Sequence, residues 1–217
     1  GHCETTPGLK NPIVVGCAMG ATEKGKYVTA AGAKPSDKLI LTKSAGIEGT
    51  AILASDKEQQ LKNTLGDSML KSAKQFYARI SVVKDATTAF KTGQVHAMHD
   101  PTEGGIAGAI HEMANASRLG VRIFEDKIRV EPETERICRF YQIDPLQLIA
   151  SGSLLIAAKP EAAEDVVEAL NQRSIVAGIV GELLSSPNTR IMVGKNDKVK
   201  KLDRPVTDHL WQALQNN

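Results

Sequence analysis

Cysteine is scarce in this chain: Cys3, Cys17 and Cys138 are the only three in 217 residues. They are odd in number, far apart and free of any CxxC pairing. A disulfide framework is therefore not expected, and a reducing cytoplasm is the default compartment. Aromatic residues make up only 4% of the chain, and no basic stripe is interleaved with them, which argues against nucleic acid as a partner. The formal net charge of +2 points neither way. No apolar run reaches about 18 residues, so no membrane span is expected, and no secretory signal is visible. The common nucleotide loops, GxxxxGK[ST] and GxGxxG, are missing. His111-Glu112 lacks the second histidine of HExxH, so a zinc protease is excluded.

What is present is ordinary for a globular protein, with 41% hydrophobic and 24% charged residues. The length suits one large domain, or one domain plus a piece of another. The opening "GHCETTPGL" has no initiator Met and runs straight into a strand-like stretch. It reads as a fragment lacking its upstream half, with a tag scar as the alternative.

Periodicity predicts strands over residues 12–21 and 26–32, joined by the polar turn "TEKGK". A turn-rich link follows at 32–38. Further strands are predicted at 39–43, 95–99, 153–158, 175–184 and 190–193, with one strand, or two with a turn, over 121–130. The stretch 45–54 reads as a glycine-punctuated loop entering a helix. Helices are also expected over 67–80, with Met69, Leu70, Ala73, Phe76, Tyr77 and Ile80 on one face, and over 82–93, ending at Gly93. Others fall at 133–143, 160–173 and 206–214. The order fits an α/β or α+β domain.

The densest chemistry lies in "HAMHDPTEGGIAGAIHEMANA", residues 96–116. Ile106, Ala107, Ile110, Met113 and Ala114 form a helix stripe, and Gly104 and Gly105 fall at its first turn. A helix start offers unpaired N–H groups and partial positive charge, and glycine lets a ligand approach them. Asp100 at the strand end suits a magnesium ion that bridges phosphate oxygens. The alternative is structural, with Thr102 capping the helix and Glu103 favouring its dipole. A metal cluster of His96, His99 and Asp100 is disfavoured, because strand alternation sends the two histidines to opposite faces. Lys43 is either a phosphate contact or a surface lysine. "TLGDS" (64–68) is a ligand loop or a cap by Asp67 or Ser68. "ASGSLL" (150–155) either brings backbone to a ligand or is a plain turn. Cys3 has no base placed beside it and reads as a buried or incidental thiol.

Five stretches, "GHCETTPGL", "GAKPSDKLILTKSAGIEGTAILA", "HDPTEGGIAGAIHEMA", "IDPLQLIASGSLLIA" and "IVAGIVGEL", resemble in that order the aminoimidazole ribonucleotide (AIR) synthetase, or PurM-like, superfamily. The similarity is closest to its HypE-type, AIR synthase-related branch. "DPTEGG" followed about 45 residues later by "DPLQLIASG" is the specific combination.

The resemblance implies a PurM-like C-terminal domain, a mixed sheet with packed helices, over residues 32–217. Residues 1–31 would be the last strands of an ATP-binding and dimerisation domain. It implies an ATP-dependent phosphoryl transfer that activates a small substrate, with ATP and Mg2+ as cofactors and a cytoplasmic homodimer as the assembly. By position, the metal ligand falls on Asp100. The phosphate- and substrate-binding set falls on Lys43, Gly66, Asp67, Thr102, Gly104, Gly105, Ser151, Gly152 and Ser153. The chain ends "WQALQNN", without the terminal cysteine that accepts the carbamoyl group in the hydrogenase factor, so a carbamoyl-dehydratase role is not expected. The rival expectation is a non-catalytic relative that uses the same cleft to bind a ligand or partner.

Overall fold

The computed structural model describes Gly8 and residues 13–215. Cys3, the opening "GHCETTP" and the last two residues lie outside the described part. The sheet contains β1 (Lys38–Thr42), β2 (Val95–His99), β3 (Gly120–Phe124), β4 (Leu155–Ala158), β5 (Ala177–Leu184), β6 (Arg190–Val193) and β7 (Val199–Lys201). The strand order is β2-β4-β1-β5-β3-β6-β7. Neighbouring strands are antiparallel, except for the parallel pair β3 and β6.

Side-chain alternation buries both faces of this sheet. Leu39 and Leu41 of β1 face one core with Ala97, Leu155 and Val121, under the helix α4 (Gly105–Ala116). Ile40 and Ile156 face the other core, under α3 (Val83–Lys91) and α6 (Ala163–Gln172). A third cluster joins α1 (Ile47–Asp56), α2 (Glu58–Lys74), α5 (Pro132–Tyr141) and α7 (His209–Gln215) through Leu53, Leu61, Leu70, Ile137 and Leu210. α5 carries its proline in the first turn, where the missing N–H costs nothing.

Two expectations need correction, and one choice between alternatives is decided. Residues 13–29 form no strand, although the turn over 22–26 is there, closed by Thr22 Oγ1 donating to the Lys26 carbonyl. A strand needs a neighbour for its ladder, and among the described residues none pairs with this stretch. Val14, Val15 and Met19 accordingly stand exposed. The helical face expected over 67–80 stops early. α2 ends at Lys74 and tightens into a 3-10 turn over Gln75–Arg79, which leaves Tyr77 and Ile80 in solvent. α2 also starts sooner, at Glu58, and is broken at Gly66, whose φ of 74° and ψ of 162° are not helical. The stretch 121–130 is one strand, β3, followed by a 3-10 turn over Glu125–Lys127. β7 follows from no pattern read in the sequence.

Candidate functional site

Register decides which loops meet. His99 of β2 and Leu41 of β1 both lie opposite Leu155 at the start of β4. The segments after β1 (43–46), after β2 (100–104) and before β4 (149–154) therefore converge at one end of the sheet. "DPTEGG" and "IASG" are brought together by this topology.

At the second of these segments the backbone turns left-handed twice, with φ 78° at Gly104 and 59° at Gly105. A Cβ on Gly105 would stand 2.5 Å from the Leu148 carbonyl oxygen and 2.7 Å from that of Leu146. The second glycine is thus required by the backbone of the "DPLQL" turn packed on it. That turn is closed by Asp144, whose Oδ1 accepts the Leu146 N–H at 2.9 Å.

The expectation of a bare helix start is corrected at its first two amides. The Gly104 N–H donates to Oδ2 of Asp208 at 2.7 Å, so this amide is taken by a carboxylate of the chain itself. Thr102 is not a side-chain cap either. Gly104 occupies the cap position, and Thr102 contributes its carbonyl, which accepts the Gly105 N–H at 3.0 Å. Thr102 and Glu103 are exposed.

Lys43 is neither a surface lysine nor an open phosphate contact. Its side chain is 16% exposed, and its ammonium donates to the carbonyls of Arg79 (3.1 Å), Ser81 (2.8 Å) and Gly152 (2.7 Å). The buried Asp85 carboxylate lies 3.2 Å away and accepts from Thr42 Oγ1 at 2.7 Å. An ammonium has three donors, and all three are used. Lys43 thus struts the 149–154 loop against the turn after α2. Arg79, in that turn, pairs with Glu131 at 3.1 Å. Burial alone would raise the Glu131 pKa, but Arg129 and Arg79 outweigh it and hold the carboxyl below its ordinary value.

Ser153 is fully buried, with Oγ donating to the Ser44 carbonyl at 2.5 Å. Gly152, at φ 111°, has no room for a Cβ against Arg79 and Ile80. Ser151 is half-buried. Gly66 and Asp67 sit in α2, which packs on α1 and α5, and the exposed Asp67 sits 3.4 Å from Lys62.

The histidines have separate partners. His96 Nδ1 lies 3.0 Å from both oxygens of the buried Asp37, and His99 Nε2 lies 2.6 Å from Glu112. Asp100 is 55% exposed, with Oδ1 3.8 Å from His99 Nδ1. Among the described residues no group of three or more His, Cys, Asp or Glu is arranged to hold a metal. Asp100 suits a magnesium ion whose other ligands are waters and phosphates, but it is not a complete site. Beside Gly104 lies a hollow of about 260 Å³, lined by Glu103, Glu112, Arg204 and Trp211 among others. That is below the roughly 300–1,000 Å³ of small-molecule sites.

Residues 34–194 match the family described as AIR synthase related protein, C-terminal domain. The chain belongs to this family. It is 30% identical over 180 residues to a putative hydrogenase expression/formation protein of Methanocaldococcus jannaschii, covering 81% of this chain and 50% of that protein. Against carbamoyl dehydratase HypE of Rhizobium leguminosarum it is 30% identical over 172 residues, covering 78% and 47%. The crystal structure of E. coli HypE superposes with a TM-score of 0.73 at 24% identity, covering 89% of this chain and 57% of that one. A HypE structure in complex with ATP gives 0.64 at 22%, covering 84% and 55%. The fold is thus the AIR synthase-related, PurM-like C-terminal domain, and the chain spans about half the length of the curated relatives it matches.

Asp208 was missed by sequence reasoning. "TDHLWQAL" carries a capping signal, an Asp just before a helix, and Asp208 Oδ1 does accept the Leu210 N–H at 2.7 Å. Nothing local announces that its other oxygen reaches Gly104.

Proposed function

We propose that this chain is the C-terminal part of an ATP-dependent phosphoryl-transfer enzyme that activates a small substrate. In this reading residues 1–31 are the last strands of an upstream nucleotide-binding and dimerisation domain. Residues 32–217 form the second domain, and the whole works as a cytoplasmic homodimer. The observation that carries it is the convergence of the 43–46, 100–104 and 149–154 segments at one sheet end, in a family fold shared with an ATP-bound HypE.

The chain's own residues then have distinct tasks. Asp100 would hold magnesium, which supplies charge neutralisation for the transferring phosphoryl group. The exposed Thr102 hydroxyl and the Ser151 side chain remain to contact ligand. Lys43, Gly105, Gly152 and Ser153 shape the wall from behind. Positioning of this kind is most of what phosphoryl transfer asks of a protein.

A second reading, a non-catalytic relative that binds a ligand or partner in the same cleft, draws support from one feature. The Gly104 amide and the Lys43 ammonium, two natural phosphate donors, are both used internally.

The deciding experiment is Asp100→Asn in the product of the whole reading frame, assayed for ATP turnover. Loss of a metal-holding carboxylate removes several kcal/mol of transition-state stabilisation, so kcat is expected to fall at least ~100-fold. Stability, at so exposed a position, should change by no more than about 0.5 kcal/mol. Near-normal turnover at saturating magnesium would remove Asp100 from the site.

A further inference from the structure

Asp208 lies beyond the 34–194 stretch that matches the family. It is 4% exposed, and three backbone N–H groups converge on its carboxylate. Oδ2 accepts from Gly104 at 2.7 Å, while Oδ1 accepts from Ile149 at 3.2 Å and from Leu210 at 2.7 Å. The first donor opens α4, the second precedes the Ser151–Ser153 loop and the third belongs to α7. Neighbouring contacts close the same seam. The Asp144 N–H donates to His209 Nδ1 at 2.9 Å, and Pro205 packs over Gly104.

We infer that Asp208 is a positioning residue, a clamp that fixes the turn carrying Asp100 and Thr102 against the loop carrying Ser151. This deepens the functional reading above and rests on it. A carboxylate is suited to the task because it only accepts, and a charged acceptor strengthens each bond. It also sits where the partial positive charge of the α4 start is greatest. The segment after β7 therefore completes the cleft wall from outside the matched stretch. A local cap for α7 would need only the bond to Leu210; the bonds to Gly104 and Ile149 are what a clamp adds.

Serine separates the two roles. Asp208→Ser keeps a good helix cap but has a single, shorter acceptor, which cannot serve Gly104 and Ile149 as well. Hydrogen exchange by mass spectrometry on this chain should show peptides spanning 100–108 and 145–151 exchanging at least ~10-fold faster, with the α7 peptide unchanged. In the whole reading-frame product, kcat for ATP should fall at least ~10-fold while KM stays within about twofold, because the reacting groups lose register rather than contacts. The isosteric Asp208→Asn, which turns an amide NH2 group toward one of the donors, gives the same comparison should the serine variant not fold. Unchanged exchange at the two peptides would reduce Asp208 to a cap. Faster exchange with unaltered kcat would make the clamp purely architectural. Either result overturns the proposal. A wild-type product without ATP turnover would instead sink the functional reading, and exchange alone would then decide the clamp.

Discussion

Gly105 shows how one residue type serves two arguments that the sequence cannot separate. A glycine at a helix start is needed when a phosphate must approach, and equally when the chain's own backbone does. Here the backbone does: the Leu146 and Leu148 carbonyls occupy the space a Cβ would take, and φ is positive. Gly105→Ala is therefore expected to destabilise the fold by about 2–5 kcal/mol, from left-handed strain and overpacking together, with urea unfolding as the measurement. A variant as stable as the parent but weakened in phosphate binding would restore the ligand reading. Lys43 has the same ambiguity. Its position after "LILT" was readable, but carbonyls from residues 79, 81 and 152 were not, because contacts so distant in sequence leave no local pattern. Asp100, by contrast, directly follows the end of β2, as the sequence pattern placed it.

At the scale of elements, periodicity worked wherever a segment has its own core to face. β2, α3, α5 and β6 lie within a residue or two of where alternation or helical spacing placed them. It failed where the partner decides, as in the unpaired 13–29 stretch, the exposed edge strand β7 and the break in α2 at Gly66. The segment after β7 also carries a pH dependence. The buried His111 of α4 bonds through Nε2 to the Leu202 carbonyl at 3.1 Å. Burial chiefly, helped by Arg190 and Arg204, holds its pKa below the ordinary 6.5 despite the opposing carbonyls of Leu202 and Asp203. The unfolded chain then takes up this proton more readily than the folded one. The stabilisation is complete above pH 6.5 and is lost progressively as pH falls from there through the folded value. His111→Gln keeps an N–H donor and removes the titration. Urea midpoints between pH 7.5 and 5 should fall more steeply for the parent than for this variant; parallel curves would show that His111 contributes nothing to acid sensitivity.

For the molecule as a whole, the proposed function raises the question of what these loops can do by themselves. Phosphoryl transfer needs metal ligands and a cradle for the phosphates acting together. Among the described residues no group of three or more His, Cys, Asp or Glu is arranged to hold a metal, the Gly104 amide is spent on Asp208, and Lys43 is spent on three carbonyls. The hollow at this end, about 260 Å³, is small for a nucleotide. An apolar stretch around Val14, Val15 and Met19 stands uncovered. The purified chain is therefore expected to fold, yet to release no phosphate from ATP with magnesium above the level of an Asp100→Ala control. The product of the whole reading frame should turn ATP over. Turnover by the chain alone that persists through gel filtration and disappears with Asp100→Ala would mean that one wall suffices. The catalytic groups would then have to be sought among Thr102, Ser151 and their neighbours rather than across a cleft.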